Sequence, residues 1–370
     1  MTRIHTGKVA DETLAVVIDN GSYSIKVGYA GAEKPQYVFR SLAAYSDGTE
    51  LVVGNDSLKH TETRGIMTPV QHGIVRNWAL AERLWMHAFQ DQLKTSQREH
   101  PILLTEPPQN PKLHRERCTQ LFFEVFDIPG LYMAPTSLLA LYGACRTTGF
   151  VVDIGEGIPH AVPVYEGTIV PHAIERLDVG GYDLTSLVMA NIEALDSTEY
   201  SSRATANEIK EKCCKVVMNY EQEIQKIDKK NTTYTLPDGN VVNIGKISIQ
   251  CPESILTPEV GGFKAPKLAE VIYRAIKNCH PDMHKILFNN IVITGGSSLF
   301  SGLLERCEKD ILKVVNGNAT IKLIDDVKNR GTAVWTGGSI VASLSTFQHM
   351  WVTKAEYEES GPTVIHRKCF

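Results

Sequence analysis

Three observations predict an α/β fold with a duplicated domain. Strand-type and helix-type apolar patterns alternate along most of the chain. The length of 370 residues suffices for two or three domains at roughly 100–200 residues each. A unit reading apolar strand, Asp-x-Gly, tight turn and second strand occurs twice, over 16–31 and again over 150–167. Hydrophobic strands often end in Asp/Gly turns, which accounts for either unit taken alone. Two such units so far apart point to a duplicated domain rather than a tandem array.

Taken in order, the first unit predicts strands over 14–18 and 25–29 about a turn at Asn20-Gly21. The stretch 33–64 is polar and turn-rich, with one apolar run at 51–53, and reads as a small mobile appendage. Helical periodicity follows over 78–89 and 116–126, where apolar residues recur three and four apart. Between them, 102–104 is a short strand entering a proline-rich loop. The second unit predicts strands over 150–152 and 161–165. A helix over 207–224 carries Ile209, Cys213, Val216, Val217, Tyr220 and Ile224 on one face. Lys210 and Glu211 lie off that stripe, where a solvated charged face is the default. The polar segment 226–240 ends in a Pro-Asp-Gly turn and reads as a surface connection. A β-rich run over 290–293 then leads into Thr294-Gly295-Gly296-Ser297-Ser298 and a helix over 302–309.

Composition removes several classes. With 38 basic and 42 acidic side chains the net charge is -4, which is not the footprint of a dedicated nucleic-acid binder. Residues 1–13 lack the apolar core of a signal peptide, and no apolar run is long enough to span a membrane. The eight cysteines are scattered without zinc spacing, and disulfides are not expected. A reduced, soluble, intracellular protein is expected.

The two Asp-x-Gly turns carry the chemistry. Glycine after a buried strand brings backbone N–H groups close to a ligand, and successive N–H groups make a concave site for phosphate oxygens. A carboxylate there would repel phosphate directly, so its role is to hold hydrated Mg²⁺, which favours one or two carboxylates together with substrate phosphates. Two hairpins of this kind, around Asp19 and Asp153, predict a clamp on a polyphosphate and its metal, with Lys26 as an added point charge. The strand–Gly-Gly–helix element at 290–309 offers a backbone seat for a nucleotide. Neither GxxxxGK[ST] nor GxGxxG is present. Of the twelve histidines, His160 alone lies where it could approach a terminal phosphate.

The stretches DNGS (19–22), ILLTEPPQNP (102–111), RTTG (146–149), VPVYEGTIVPHAIERLD (162–178), IKEKC (209–213), LPDG (236–239) and the run 334–370 are similar to actin. The chain thus resembles the actin family, within the actin, heat-shock-70 and sugar-kinase ATPase group, from about 14 to 370. The resemblance implies a two-lobed fold with a nucleotide cleft between duplicated domains, each lobe having a large and a small part. The outer large part would be 1–32, 69–143 and 333–370, and the outer small part 33–68. The inner large part would be 144–179 and 264–332, and the inner small part 180–263. ATP or ADP with Mg²⁺ is the implied cofactor, with Ca²⁺ as a substitute in vitro. Asp19, Gly21, Ser22, Tyr23 and Lys26 would form one phosphate loop, and Asp153, Gly155, Glu156 and Gly157 the other. Asp19 and Asp153 would hold the metal through water. Gly181, Lys210, Glu211, Gly296 and Ser297 would surround the adenosine, with Leu299 and Phe300 packing on it. Asp153, His160 and Thr136 would serve the attacking water.

Departures from the family pattern cluster near the terminal phosphate. Tyr23 replaces a glycine and must adopt the turn's φ. Ile154 replaces a serine hydroxyl, Glu156 replaces an aspartate, and Thr136 stands where the family has a water-orienting glutamine. These changes predict ATP binding with slow or absent hydrolysis. Asn207 and Gly331 stand in place of an arginine and a lysine on the adenosine side. The usual acidic N-terminus is replaced by MTRIHTGKVADET, which puts partners of the myosin type in doubt. The implied partners are further copies of the chain, other actin subunits and actin-binding proteins such as profilin, in the cytoplasm and cytoskeleton, with no nucleic acid and no membrane insertion. Three functions remain open: a divergent filament-forming actin, a non-polymerising actin-related scaffold subunit, and a small-molecule kinase of the wider group. The segment 40–53, a shortened form of the family's subunit-gripping loop, and Val260-Gly261-Gly262-Phe263, in place of its hydrophobic plug, bear on the first two.

Overall fold

Alternating apolar residues at 16–29 fold into an antiparallel hairpin, strand Val16–Asn20 against Ser24–Tyr29, with Asp19 opposite Lys26. The computed structural model describes residues 13–46, 50–60, 65–195, 200–227, 232–317, 319–325 and 329–369. They fall into two compact units, one bounded by Met1–Lys59, Met67–Arg146 and Thr332–Phe370, the other by His60–Ile66 and Thr147–Gly331.

In the first unit, Tyr37–Arg40 extends the hairpin on one side. On the other, Ile102–Glu106 runs parallel to Val16–Asn20, Gly130–Pro135 parallel to Ile102–Glu106, and Val352–Thr353 closes the edge antiparallel. The central strands are continuous apolar runs because the sheet is covered. One cover is a helix pair, Thr136–Gly143 and Ala333–Ser343. Their backbones approach so closely that a Cβ on Gly337 would lie 1.8 Å from the Leu139 carbonyl oxygen. Trp335, fully buried, donates its indole N–H to Val17 O at 3.0 Å.

The second unit repeats the plan. Gly149–Asp153 pairs antiparallel with His160–Tyr165, then Thr168–Ile169 follows, while Ile291–Thr294 and Leu323–Ile324 add in parallel on the far side. Hairpin, then parallel strands, is the order in both units. Helices Leu268–Lys277 and Leu303–Val315 bury their apolar stripes in this unit's core, including Val271, Ile272, Leu303, Cys307 and Ile311.

Several expectations shift. The helix expected over 207–224 is two, Tyr200–Cys213 and Tyr220–Ile224. Between them the N–H groups of Lys215 and Val216 leave the helical pattern to reach Ser248 O and Ser301 O, both at 2.9 Å. The described part of the stretch 33–64 is not a loose appendage. Ala43–Ser46 and Glu50–Val53 pair as a hairpin, Ala43 and Ala44 are buried, and Ser57 Oγ donates to Leu42 O and Val52 O. Residues 47–49 and 61–64 of that stretch lie outside the described residues. The polar connection at 226–240 contributes a strand to the small hairpin Thr233–Thr235 and Val241–Asn243. The helix expected over 116–126 is Lys112–Glu124, starting after Pro111, and the helix over 302–309 extends as Leu303–Val315. None of the eight cysteines forms a disulfide. No described helix is long and apolar enough to cross a membrane.

Candidate functional site

Each unit presents a candidate ligand-binding edge at the C-terminal ends of its parallel strands, where α/β sheets bind ligands. In the first unit the Asp19 carboxylate, 5 % exposed, is held from two sides. Lys26 Nζ reaches Oδ2 at 2.8 Å and Thr105 Oγ1 donates to Oδ1 at 3.0 Å. Asn20 donates its backbone N–H to the same threonine oxygen at 2.9 Å, and its side-chain oxygen accepts from Trp85 Nε1 at 3.1 Å. Gly21 is required by close approach, since a Cβ there would lie 2.7 Å from Ser24 O. Ser22 Oγ accepts the Gly73 N–H at 2.8 Å. That donor is aimed by a two-residue hairpin turn, His72 and Gly73, with φ of 53° and 74°.

Tyr23 is not among the residues with positive φ, so the side chain that replaces glycine fits its turn without backbone strain. Its ring lies under the Arg40 guanidinium, 3.7 Å from the centroid, and its carbonyl accepts from Ser41 N and Arg40 Nε. Thr136 is half-buried and opens helix Thr136–Gly143 directly after the strand that neighbours Thr105.

In the second unit Asp153 ends its strand in register with Thr294 on one side and His160 on the other. Gly295, at φ 92°, passes so close that a Cβ would meet Asp153 Oδ1 at 2.7 Å. Ile154 is fully buried in the hydrophobic core, so the lost serine hydroxyl is exchanged for packing. A network joins the second loop to the expected adenosine residues. Gly181 N donates to Gly155 O at 3.0 Å, Ser297 N to Ile154 O at 2.9 Å, and Ser297 Oγ to Gly155 O at 3.2 Å. Lys210, 4 % exposed, donates to Gly181 O and Thr185 Oγ1 and stands 3.6 Å from the Glu156 carboxylate. A solvated charged face does not describe it, and only Glu211 of that pair is exposed. Asn207 is buried and donates to Glu211 Oε1 at 2.8 Å. Leu299 is exposed while Phe300 belongs to the core, and Gly157 is half-buried in the loop.

His160 is largely withdrawn from water. Burial first, and the facing Arg176 second, push its pKa down to about 4 against a partly opposing backbone hydrogen bond at Ile158. The imidazole is therefore neutral at pH 7 and able to accept or donate one hydrogen bond.

Thr105, Thr185 and Gly73 are the candidate-site residues that motif reading missed. Thr105 sits inside ILLTEPPQNP, where only strand pairing reveals that it faces Asp19. The donor set suits a nucleotide with a hard cation. Its carboxylates are oxygen ligands, and added Cβ atoms at Gly155 and Gly296 would meet nothing within 4 Å, leaving open backbone for a ligand. The family model described as Actin matches residues 10–370, and with the duplicated hairpin-and-parallel-strand plan this shows that the chain belongs to the actin family.

Proposed function

We propose that this is a divergent, Mg·ATP-binding member of the actin family that forms or joins cytoskeletal filaments and hydrolyses ATP slowly. The observation that carries the reading is the repeated half-site, a buried hairpin with its aspartate at the strand end and glycine-permitted backbone approach. Asp19 and Asp153 would hold the cation through water, and Lys210, Glu211, Gly181 and Ser297 would line the adenosine. A bound divalent cation supplies charge neutralisation across the phosphates. The protein's own groups bind and orient. Neutral His160 can accept a hydrogen bond from a water, whereas Thr136 has one hydroxyl in place of an amide's paired donor and acceptor. Slow hydrolysis follows from that difference.

The alternative, a non-polymerising scaffold subunit, draws support from the segment in place of the hydrophobic plug. Phe263 is half-buried and packs against its own core, and its ring would lie 2.7 Å from a Cβ on Gly261. A residue used in this way is withdrawn from contact with another subunit. Kinase activity on a small molecule has no comparable support.

Equilibrium binding of a fluorescent ATP analogue, phosphate release, and pelleting with Mg·ATP followed by imaging separate these outcomes. Analogue binding, slow phosphate release and pelleted polymer are expected. Absence of nucleotide binding overturns the reading. A monomer at high concentration and salt, with nucleotide bound, selects the scaffold.

A further inference from the structure

The two half-sites match in one detail that the motifs do not show. In the second unit Asp153 is paired in register with Thr294 on the adjacent parallel strand. In the first, Ile18 pairs with Leu104, so one further step sets Asp19 beside Thr105. Each aspartate therefore has a threonine at the same place, but the hydroxyls are used differently. Thr294 Oγ1 turns away and donates to Arg330 O at 2.9 Å. Thr105 Oγ1 donates to Asp19 Oδ1 at 3.0 Å.

The direction of the Thr105 bond is fixed by chemistry. The Asn20 backbone N–H can only donate, and at 2.9 Å it occupies a lone pair of the Thr105 oxygen. The single hydroxyl proton of Thr105 is thereby aimed at the carboxylate. Lys26 binds the other oxygen at 2.8 Å. Threonine and aspartate are both buried, at 3 % and 5 % exposure, so water competes poorly for these bonds. A carboxylate gripped at both oxygens by donors from two different strands cannot rotate, and its remaining lone pairs keep fixed directions.

We propose that Thr105 is a positioning residue that fixes Asp19 in the orientation a hydrated divalent cation requires. The proposal rests on the reading of the site as a Mg·nucleotide site. Groups that orient metal-binding residues change metal affinity by about 10–100-fold when removed.

The test is the Mg²⁺ dependence of the dissociation rate of a fluorescent ATP analogue from the full chain. The wild type is compared with Thr105→Val, Thr105→Ser and Thr294→Val. Thr105→Val is expected to raise the Mg²⁺ midpoint about tenfold. Thr105→Ser, which keeps the hydroxyl, and Thr294→Val should stay within about twofold of wild type. Dissociation in excess chelator should be alike in all four, since the metal-free nucleotide does not depend on this orientation. If Thr105→Val does not fold, Thr105→Ala takes its place with the same expectation. An unchanged midpoint in the variant lacking the hydroxyl overturns the proposal, as does an equal acceleration in chelator, which would mean a general loss of structure. A wild type that binds no analogue defeats the nucleotide reading itself and is recognised before any variant is compared.

Discussion

His160 makes the clearest statement at the scale of single residues. Its pKa lies near 4 rather than 6.5 because burial and Arg176 disfavour the charged ring. A depressed histidine contributes stability that is intact above pH 6.5 and is lost as pH falls toward 4, on the order of 3 kcal/mol in all. Urea midpoints at pH 7.5, 6.0 and 5.0 should therefore fall more steeply for the wild type than for His160→Asn, and parallel curves would refute this. Thr136→Gln restores an amide at the position that follows Pro135, and phosphate release should rise by about tenfold or more. An unchanged rate would refute the assignment of the proposed slow hydrolysis to Thr136. The hairpin positions of Asp19, Asp153, Lys26 and His160 were legible in sequence because Asp-x-Gly turns and their hairpins are local. Thr105 was not, since its partner Asp19 lies 86 residues away.

At the scale of elements, close contacts and buried charge set the tolerances. Helix Leu303–Val315 is tied to helix Ile247–Leu256 by a two-pronged ion pair, Arg306 to Glu253 at 2.7 and 2.9 Å. Arg306 also bonds Asp310 and Val217 O. Desolvation raises the Glu253 pKa and Arg306 opposes it. Arg306→Met alone strands a carboxylate and should destabilise by about 3–5 kcal/mol, while Glu253→Leu with Arg306→Met should recover much of the loss. Chemical denaturation of the single and double variants checks this, and an undiminished loss in the double variant would count against it. Gly337→Ala drives a methyl into the Leu139 carbonyl and should cost about 3 kcal/mol or more by forcing the helices apart. A wild-type unfolding midpoint would refute that. Long strands and amphipathic helices were legible because their periodicity is intrinsic. The break after Cys213 was not, because distant carbonyls at Ser248 and Ser301 cause it.

For the molecule as a whole, a ligand that binds only the folded chain must stabilise it. Mg·ATP at a hundredfold excess over its Kd should add about 2.7 kcal/mol, and chelation of the metal should remove part of the gain. Thermal unfolding with and without nucleotide measures both, and a midpoint indifferent to Mg·ATP contradicts the proposed function. The duplication itself was legible, because both copies keep strand, Asp-x-Gly and strand. The return of 332–370 to the first unit was not read from periodicity, since it depends on contacts such as Trp335 with Val17, 318 positions apart. That return governs the order of events during synthesis. The helix that covers Thr136–Gly143 emerges from the ribosome only after the whole second unit has been made. Until then the nascent first unit exposes the apolar groove that Ala333–Ser343 will fill, while the second unit, His60–Ile66 with Thr147–Gly331, has been made in full and can already collapse. Biosynthesis of this chain therefore includes an interval in which one unit is complete and the other is held open, waiting for residues 332–370.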